Sequence, residues 1–481
     1  MKKKLLLIFV LICIFSGLNL YAQTYSTGLV IDTELYESIP RKAVQLTRSL
    51  SSVPASHSLK QFAPIPNNQG RYGTCTAWAS AYAARTMLES IELNRIDRFL
   101  TTQNVFSPLF LYKNVRSLIY RDYNPTGREG IAISHALDFL RDEGAIKMPN
   151  NELSLLMSQF IVSSFSNQRR YPIEYYERLY ASYRQMTEDG DPVRTQMVKK
   201  SISEGKPVVI GIKCPPSFYS LYNAEVWYPS ENHASIDIYK DAHAICVVGY
   251  DDNKYGGAFE IQNSWGTDWG NGGFIWIPYT VFNYFAYEAY EVTENISNFD
   301  TVKFSGFIQT EIFNSSRDMP VRFDTSGFYK AIDALPSGTR FRFIMESKDP
   351  AYVYAFASDS TSSKTNLIFP VTELNESPIL DYAHNMIAWP GEYEWMEMDD
   401  VIGTDFLVVL FSKQALDIDN IRQRFENARG TFPARVATAV GSNFIPARRA
   451  QYTANEMRFT AQSTNQKAVF GLLLAIDHVA R

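Results

Sequence analysis

Phe259-Glu260-Ile261-Gln262-Asn263-Ser264-Trp265-Gly266-Thr267-Asp268-Trp269-Gly270 reads as an apolar strand that ends in an asparagine and runs into a turn of glycine and tryptophan. Upstream, Asp241-Ala242-His243-Ala244-Ile245-Cys246-Val247-Val248-Gly249-Tyr250-Asp251 places a histidine at the mouth of a second apolar strand. The loop 251–258 joins the two as a hairpin and brings His243 beside Asn263. In that pose Asn263 accepts from one imidazole nitrogen and fixes the tautomer, leaving the other nitrogen for a partner. Trp265 and Trp269 can cover the bond and keep water from competing for it.

The partner stands far upstream, in Asn68-Gln69-Gly70-Arg71-Tyr72-Gly73-Thr74-Cys75-Thr76-Ala77-Trp78-Ala79-Ser80-Ala81. Gly70 and Gly73 permit a tight loop. From Cys75 the recurrence of Ala77, Ala81, Ala84, Leu88 and Ile91 predicts a helix with one apolar face. A cysteine at a helix start meets unpaired N–H groups and the positive end of the dipole, which favour the attacking thiolate. Gln69, across the glycine loop, can set its amide beside the Cys75 N–H as a pair of oxyanion donors. Cysteine, imidazole and amide from three separate stretches are the parts of nucleophilic acyl transfer.

The ends and the composition bound the rest. MKKKLLLIFVLICIFSGLNLYAQ has a basic start, an apolar run and a small residue before Gln23, which predicts a cleavable secretory signal over 1–22 and export to the periplasm, surface or medium. No stable membrane span is expected. Net charge is -5 with no basic run, which argues against a nucleic-acid surface. With no CxxC or HExxH present, no metal and no cofactor are expected. Cys214 and Cys246 sit in strand-like runs, as small buried hydrophobes or as a disulfide. Polar, Ser-rich residues 23–60 read as a leader or short pro-segment, with autoinhibition one role open to it.

These segments closely resemble the papain-like cysteine peptidases. The signatures are Asn-Ser-Trp-Gly-x-x-Trp-Gly and Gln-Gly-x-x-Gly-Thr-Cys. The resemblance implies an exported bacterial member of α+β fold, with a two-lobed catalytic domain over 61–295, one lobe helical and the other β-barrel-like. It implies Cys75 as nucleophile, His243 as base, Asn263 as its orienter and Gln69 as oxyanion donor. Glu129-Gly130 looks like the cleft-wall segment that holds substrate backbone, so Gly130, Glu129 and Trp265 are the candidate substrate contacts. Phe106 to Tyr112 and Gly205 to Ile210 match the family's second helix and the strand that opens its second half. There are departures: Thr76 stands where the family usually has Trp, Tyr72 replaces a disulfide cysteine, and no helical propeptide motif is visible in 23–60. His243 follows Cys75 by 168 residues (243 minus 75), beyond the usual span of about 130–150. The excess fits an insertion within 147–191, where Tyr176, Leu179, Tyr180 and Tyr183 have the spacing of a packed helix.

Residues 296–481 turn β-rich, with strand-like runs at Phe341–Met345, Tyr352–Phe356 and Leu407–Phe411, the last apolar enough for burial on both faces. They resemble an uncharacterised module attached to bacterial peptidases. A β-sandwich-like domain with one helix at 417–428 is expected, in an accessory role towards a surface or cell-envelope partner. Trp389 and Trp395 fit either a binding patch or core. No titratable cluster there points to a second active site. The activity expected is endopeptidase cleavage of peptide or protein substrates. The alternatives are a catalytically silent peptide- or glycan-binding surface protein and a transglutaminase-like acyl-transferase.

Overall fold

Two long apolar runs set the catalytic region. Val208–Lys213 and Ala242–Asp251 are buried almost without interruption, so they can only sit inside a sheet covered on both faces. The computed structural model describes residues 25–46, 53–123, 125–148, 168–181, 192–237, 239–294, 302–315, 318–362, 364–382 and 385–481. The signal expected at 1–22 and the linker at 295/296 lie outside the described residues.

Among the described residues this region carries a seven-stranded antiparallel sheet. Its strands are β1 (Ser56–Ser58), β2 (Tyr175–Arg178), β3 (Val208–Lys213), β4 (Ala242–Asp251), β5 (Ala258–Gln262), β6 (Phe274–Pro278) and β7 (Ala286–Thr293). They pair in the order β2-β7-β3-β4-β5-β6, with β1 added to β4. The β4–β5 hairpin foreseen from sequence is present, and Cys246 pairs with Gln262.

Against the sheet lies the helix that starts at Cys75. It opens as Cys75–Ala77, widens to i→i+5 turns over Trp78–Arg85 and returns to α over Thr86–Glu92. All of residues 75–90 are buried, not one face alone. The alanines let sheet and helices close on it from every side. Helix Pro108–Leu118 starts as the Phe-Ser-Pro stretch dictates: Ser107 Oγ accepts from Phe110 N at 2.9 Å, with proline at the first turn. Ile133–Asp142 packs beside it. No helix among the described residues is long and apolar enough to cross a membrane.

The expected helix through Tyr176, Leu179 and Tyr180 is not formed; Tyr183 lies outside the described residues. Tyr175–Arg178 is instead the edge strand β2, paired with β7 from Tyr175↔Thr293 to Arg178↔Tyr290. Five residues at helical spacing are too few to nucleate a helix, and the bare edge of β7 offers a full ladder in its place.

The C-terminal region forms an eight-stranded and a six-stranded sheet among the described residues. The central strand Gly403–Ser412 explains its own apolar run. Leu407, Val409 and Phe411 face the core between the sheets. Val408 and Leu410 face Ile421, Phe425, Phe432 and Val436 on the other side. Those residues belong to helices Ile418–Asn427, capped by Asp417, and Phe432–Val440, the second of which had no expectation. Trp389 is core, 1% exposed, so it is no part of a binding patch. Trp395 meets Phe313 edge to face at 5.1 Å.

Candidate active site

Three elements converge at one end of β4. The loop before Cys75 is laced to the turn after β5: Gln69 N donates to Ser264 O at 2.8 Å, Gly266 N to Asn67 O at 3.1 Å, and Ser264 Oγ to Gln69 Oε1 at 2.5 Å. Gly70 takes a positive φ of 68°, where a side chain would be strained, and Asn68 Oδ1 accepts from its N–H at 2.7 Å. This lacing holds Gln69 and Trp265 in one wall.

His243 Nε2 lies 2.7 Å from Asn263 Oδ1, which also accepts from Ser264 N at 2.7 Å. Since Oδ1 accepts from the Ser264 amide, it takes a proton from Nε2 as well, which leaves Nδ1 as the unprotonated nitrogen of a neutral ring. Nδ1 is buried and has no hydrogen-bond partner. Trp265 covers the pair, its ring centroid 4.6 Å from that of His243, and Trp269 stands edge-on to Trp265 at 5.7 Å. Ala244, next in chain to His243, aims its N–H at the Cys75 sulfur.

The thiol does not have the lowered pKa expected of a helix start. Burial pushes Cys75 up to about 11, although N–H groups of Ala244, Thr76 and Gly28 pull the other way. Burial likewise lowers His243 to about 4, against the Asn263 bond. Thiol and imidazole are therefore both neutral, and no hydrogen bond joins His243 Nδ1 to the sulfur. Cys75, Cys214 and Cys246 are free, buried thiols, so the disulfide between Cys214 and Cys246 is not formed.

What covers Cys75 is the leader. Tyr25 stacks on Trp265 at 4.7 Å and 9°. The Ser26 carbonyl accepts from Gln69 Nε2 at 3.0 Å and Trp265 Nε1 at 3.2 Å, so the candidate oxyanion donor is already engaged. Gly28 O accepts from Ile131 N at 3.1 Å, and Val30 N donates to Ile131 O at 3.2 Å. The leader threads between Gly73 and Gly130: a Cβ on Gly28 would lie 2.2 Å from Gly73 O, and one on Gly130 1.9 Å from Gly28 O. No motif marked Tyr25, Ser26 or Gly28, because backbone atoms make most of these contacts.

Gly130 thus lines the slot, and Trp265 both covers His243 and stacks on the leader. Glu129 does not join them. Its carboxylate is tied to Thr126 Oγ1 at 2.9 and 3.1 Å, and its carbonyl to Tyr112 Oη at 2.7 Å. Thr76, the departure from the usual Trp, donates Oγ1 to Ile131 O at 2.9 Å and fastens the helix to the slot wall.

Residues 63–293 match the family model described as papain family cysteine protease. Over these residues the chain is similar to the papain family of cysteine peptidases. The chain is also similar to an uncharacterised peptidase C1-like protein of Acanthamoeba polyphaga mimivirus, 28% identical over 50% of this chain and 68% of that protein. Cysteine proteinase 3 of Entamoeba histolytica is 23% identical over 54% of this chain and 74% of its own length. Among solved structures, xylellain, a cysteine protease from Xylella fastidiosa, matches at TM-score 0.40 and 21% identity, covering 56% of this chain and 96% of that one. Residues 63–293 form a cysteine peptidase region, a hydrolase.

Two further clusters lie outside this site. Glu177, Glu291 and Asp381 converge closely enough to suit a cation, but the ammoniums of Lys42 and Lys206 already stand among them. In the C-terminal region Ser337 Oγ is 3.0 Å from His478 Nε2, and Asp405 Oδ2 is 3.1 Å from His478 Nδ1. Sequence reasoning missed this line because its members come from three distant strand ends. The amides of Ser337, Gly338 and Thr339 are spent on Val479, Met398 and Pro336 carbonyls, so none is left for an oxyanion. The cluster pins the 335–339 turn.

Proposed function

We propose that the protein is an exported endopeptidase in which Cys75, His243, Asn263 and Gln69 act together. The observation that carries this is the 2.7 Å His243–Asn263 bond under Trp265, on the strand whose next amide reaches the Cys75 sulfur. His243 Nδ1 takes the thiol proton and the sulfur attacks the peptide carbonyl carbon. Gln69 Nε2 and the Cys75 N–H hold the resulting oxyanion. His243 then gives that proton to the leaving amine, and a thioester to Cys75 remains. Water loses a proton to His243 and attacks the thioester; the acid leaves and the proton returns to sulfur.

Internal cleavage is supported by the leader itself. Residues 25–31 pass the sulfur as uninterrupted chain, so the cleft admits extended backbone on both sides. The Gly28 N–H of this leader is among the amides that pull the thiol's pKa down. Export follows from the basic and apolar residues at 1–22. Cys75→Ala should fold as the parent does, judged by thermal unfolding, and lose both casein cleavage and labelling by a thiol-directed epoxide. Casein cleavage by pure Cys75→Ala protein would overturn the assignment.

A further inference from the structure

We propose that the C-terminal domain is the latch that keeps the leader in the cleft, so that the peptidase opens when this domain loosens its hold on residues 36–46. The proposal rests on the reading of Cys75 as nucleophile.

The leader has two parts. The part over Cys75 is held by two backbone bonds to Ile131, by the Gln69 and Trp265 side chains on Ser26 O and by the Tyr25–Trp265 stack, with residues 25–28 half-buried. A short helix, Thr33–Ser38, connects it to the second part. There the chain is gripped from both sides. On the catalytic side Arg178 N donates to Pro40 O at 3.1 Å, Lys42 N to Arg178 O at 2.9 Å, and Tyr36 Oη to Tyr180 O at 2.8 Å. On the C-terminal side Arg41 N donates to Asn375 O and Ser377 N to Arg41 O, both at 2.7 Å, while Leu46 N donates to Met386 O at 2.8 Å. Asn375, at a left-handed φ of 47°, turns its Nδ2 back to the carbonyls of Glu37 at 3.0 Å and Ser38 at 2.9 Å, closing the end of the leader helix.

At the centre of this grip is a dry ionic cluster to which all three parts of the chain contribute. Lys42 Nζ from the leader meets Glu177 Oε2 at 2.7 Å, Glu291 Oε1 at 2.9 Å and the Asp381 carboxylate. Lys206 meets Glu291 Oε1 at 2.9 Å and Asp381 again. Tyr175 bonds Asp381, and Tyr382 bonds Glu291. Lys42, Glu177, Glu291 and Asp381 have side chains at most 2% exposed. Buried charges of this kind tolerate no partial separation, because withdrawing one partner strands the others without water. Apolar packing crosses the same boundary: Ala43 of the leader lies in the C-terminal core, and Tyr382 of the C-terminal domain lies in the catalytic core. The grip over the sulfur is thus continuous, through the leader helix, with a grip that the C-terminal domain completes.

The test is amide hydrogen exchange on the full chain, which does not need activity, paired with epoxide labelling of Cys75. Asp381→Asn removes the charge that the C-terminal domain gives Lys42. Asn375→Gly keeps the left-handed backbone and deletes only the two bonds to the leader helix, so it serves if Asp381→Asn does not fold. Either variant should speed exchange at Val30 and Ile131 by about tenfold or more, with Cys246 and Val247 in β4 unchanged. Faster exchange at Arg41 and Ser377 with Val30 and Ile131 left at the parent rate would overturn the latch. Labelling of Gly28→Val separates the two readings: if that chain labels and the latch variants behave as the parent in both measurements, the latch fails and the peptidase stands. If no variant labels although Val30 exchanges faster in the latch variants, the latch stands and the nucleophile assignment fails.

Discussion

Replacing Gly28 with alanine should turn the covered enzyme into an open one. A Cβ there would stand 2.2 Å from Gly73 O and 2.3 Å from Gly73 C and Cα, all backbone atoms that cannot swing aside. The leader must lift, and it then loses the Gly28–Ile131 and Val30–Ile131 bonds. The variant's closed state either bears the overpacking, about 1–3 kcal/mol, or gives up those two bonds, about 2 kcal/mol net, so it is destabilised by about 2 kcal/mol. A shift of about 2 kcal/mol in the closed-to-open equilibrium is roughly thirtyfold. With opening fast relative to labelling, the second-order rate constant for a thiol-directed epoxide should rise by about that factor. Cleavage of a fluorogenic peptide should rise in parallel, while the unfolding midpoint changes little because the anchor at 36–46 is untouched. Labelling of Gly28→Ala at the parent rate, with the protein folded, would refute the idea that the leader guards Cys75.

Other outcomes follow from the same geometry. Gln69→Ala, in the Gly28→Ala background, should lower kcat by about a hundredfold through loss of one oxyanion donor while Cys75 still labels, checked by steady-state kinetics. The pH profile should change with the leader: with the thiol pushed up to about 11 and the imidazole lowered to about 4, thiolate is scarce throughout pH 5 to 9, so parent labelling should be slow and still rising at pH 9. In Gly28→Ala, water returns to the site, the thiol falls and the imidazole rises, so labelling should climb at lower pH than in the parent. Leu410→Ala, at a fully buried position under the helices Ile418–Asn427 and Phe432–Val440, should cost about 3 kcal/mol by denaturant unfolding; a loss under about 1 kcal/mol would mean that face is not tightly packed.

How much of this was legible beforehand depends on what made each contact. The hairpin carrying His243 and Asn263 and the glycine loop before Cys75 were readable because side-chain chemistry at short range specifies them. The double-faced strand Gly403–Ser412 was readable because an unbroken apolar run has few other places to go. The leader's path was not. Its contacts with Ile131 and Gln69 are made by amides and carbonyls that every residue owns, and Gly28 differs from any loop glycine only in what it must pass. Tyr176 and Tyr180 misled because spacing over five residues fits either period, and pairing with β7 decided the matter at long range. Cys75 sits at a helix start as expected, yet its pKa moves the other way, since burial under a distant segment outweighs the local dipole.

Ala43 and Tyr382 sit in each other's territory, and that trade bears on how the molecule can be taken apart. A chain cut at the linker would leave a tyrosine-shaped void in the enzyme and bare its two glutamates beside Lys42, while the sandwich would lose a methyl plug supplied from far upstream. The enzyme and its appendage are therefore co-dependent in manufacture: whatever liberates the cleft in service must act after both have matured together, and neither half is a freely exchangeable cassette.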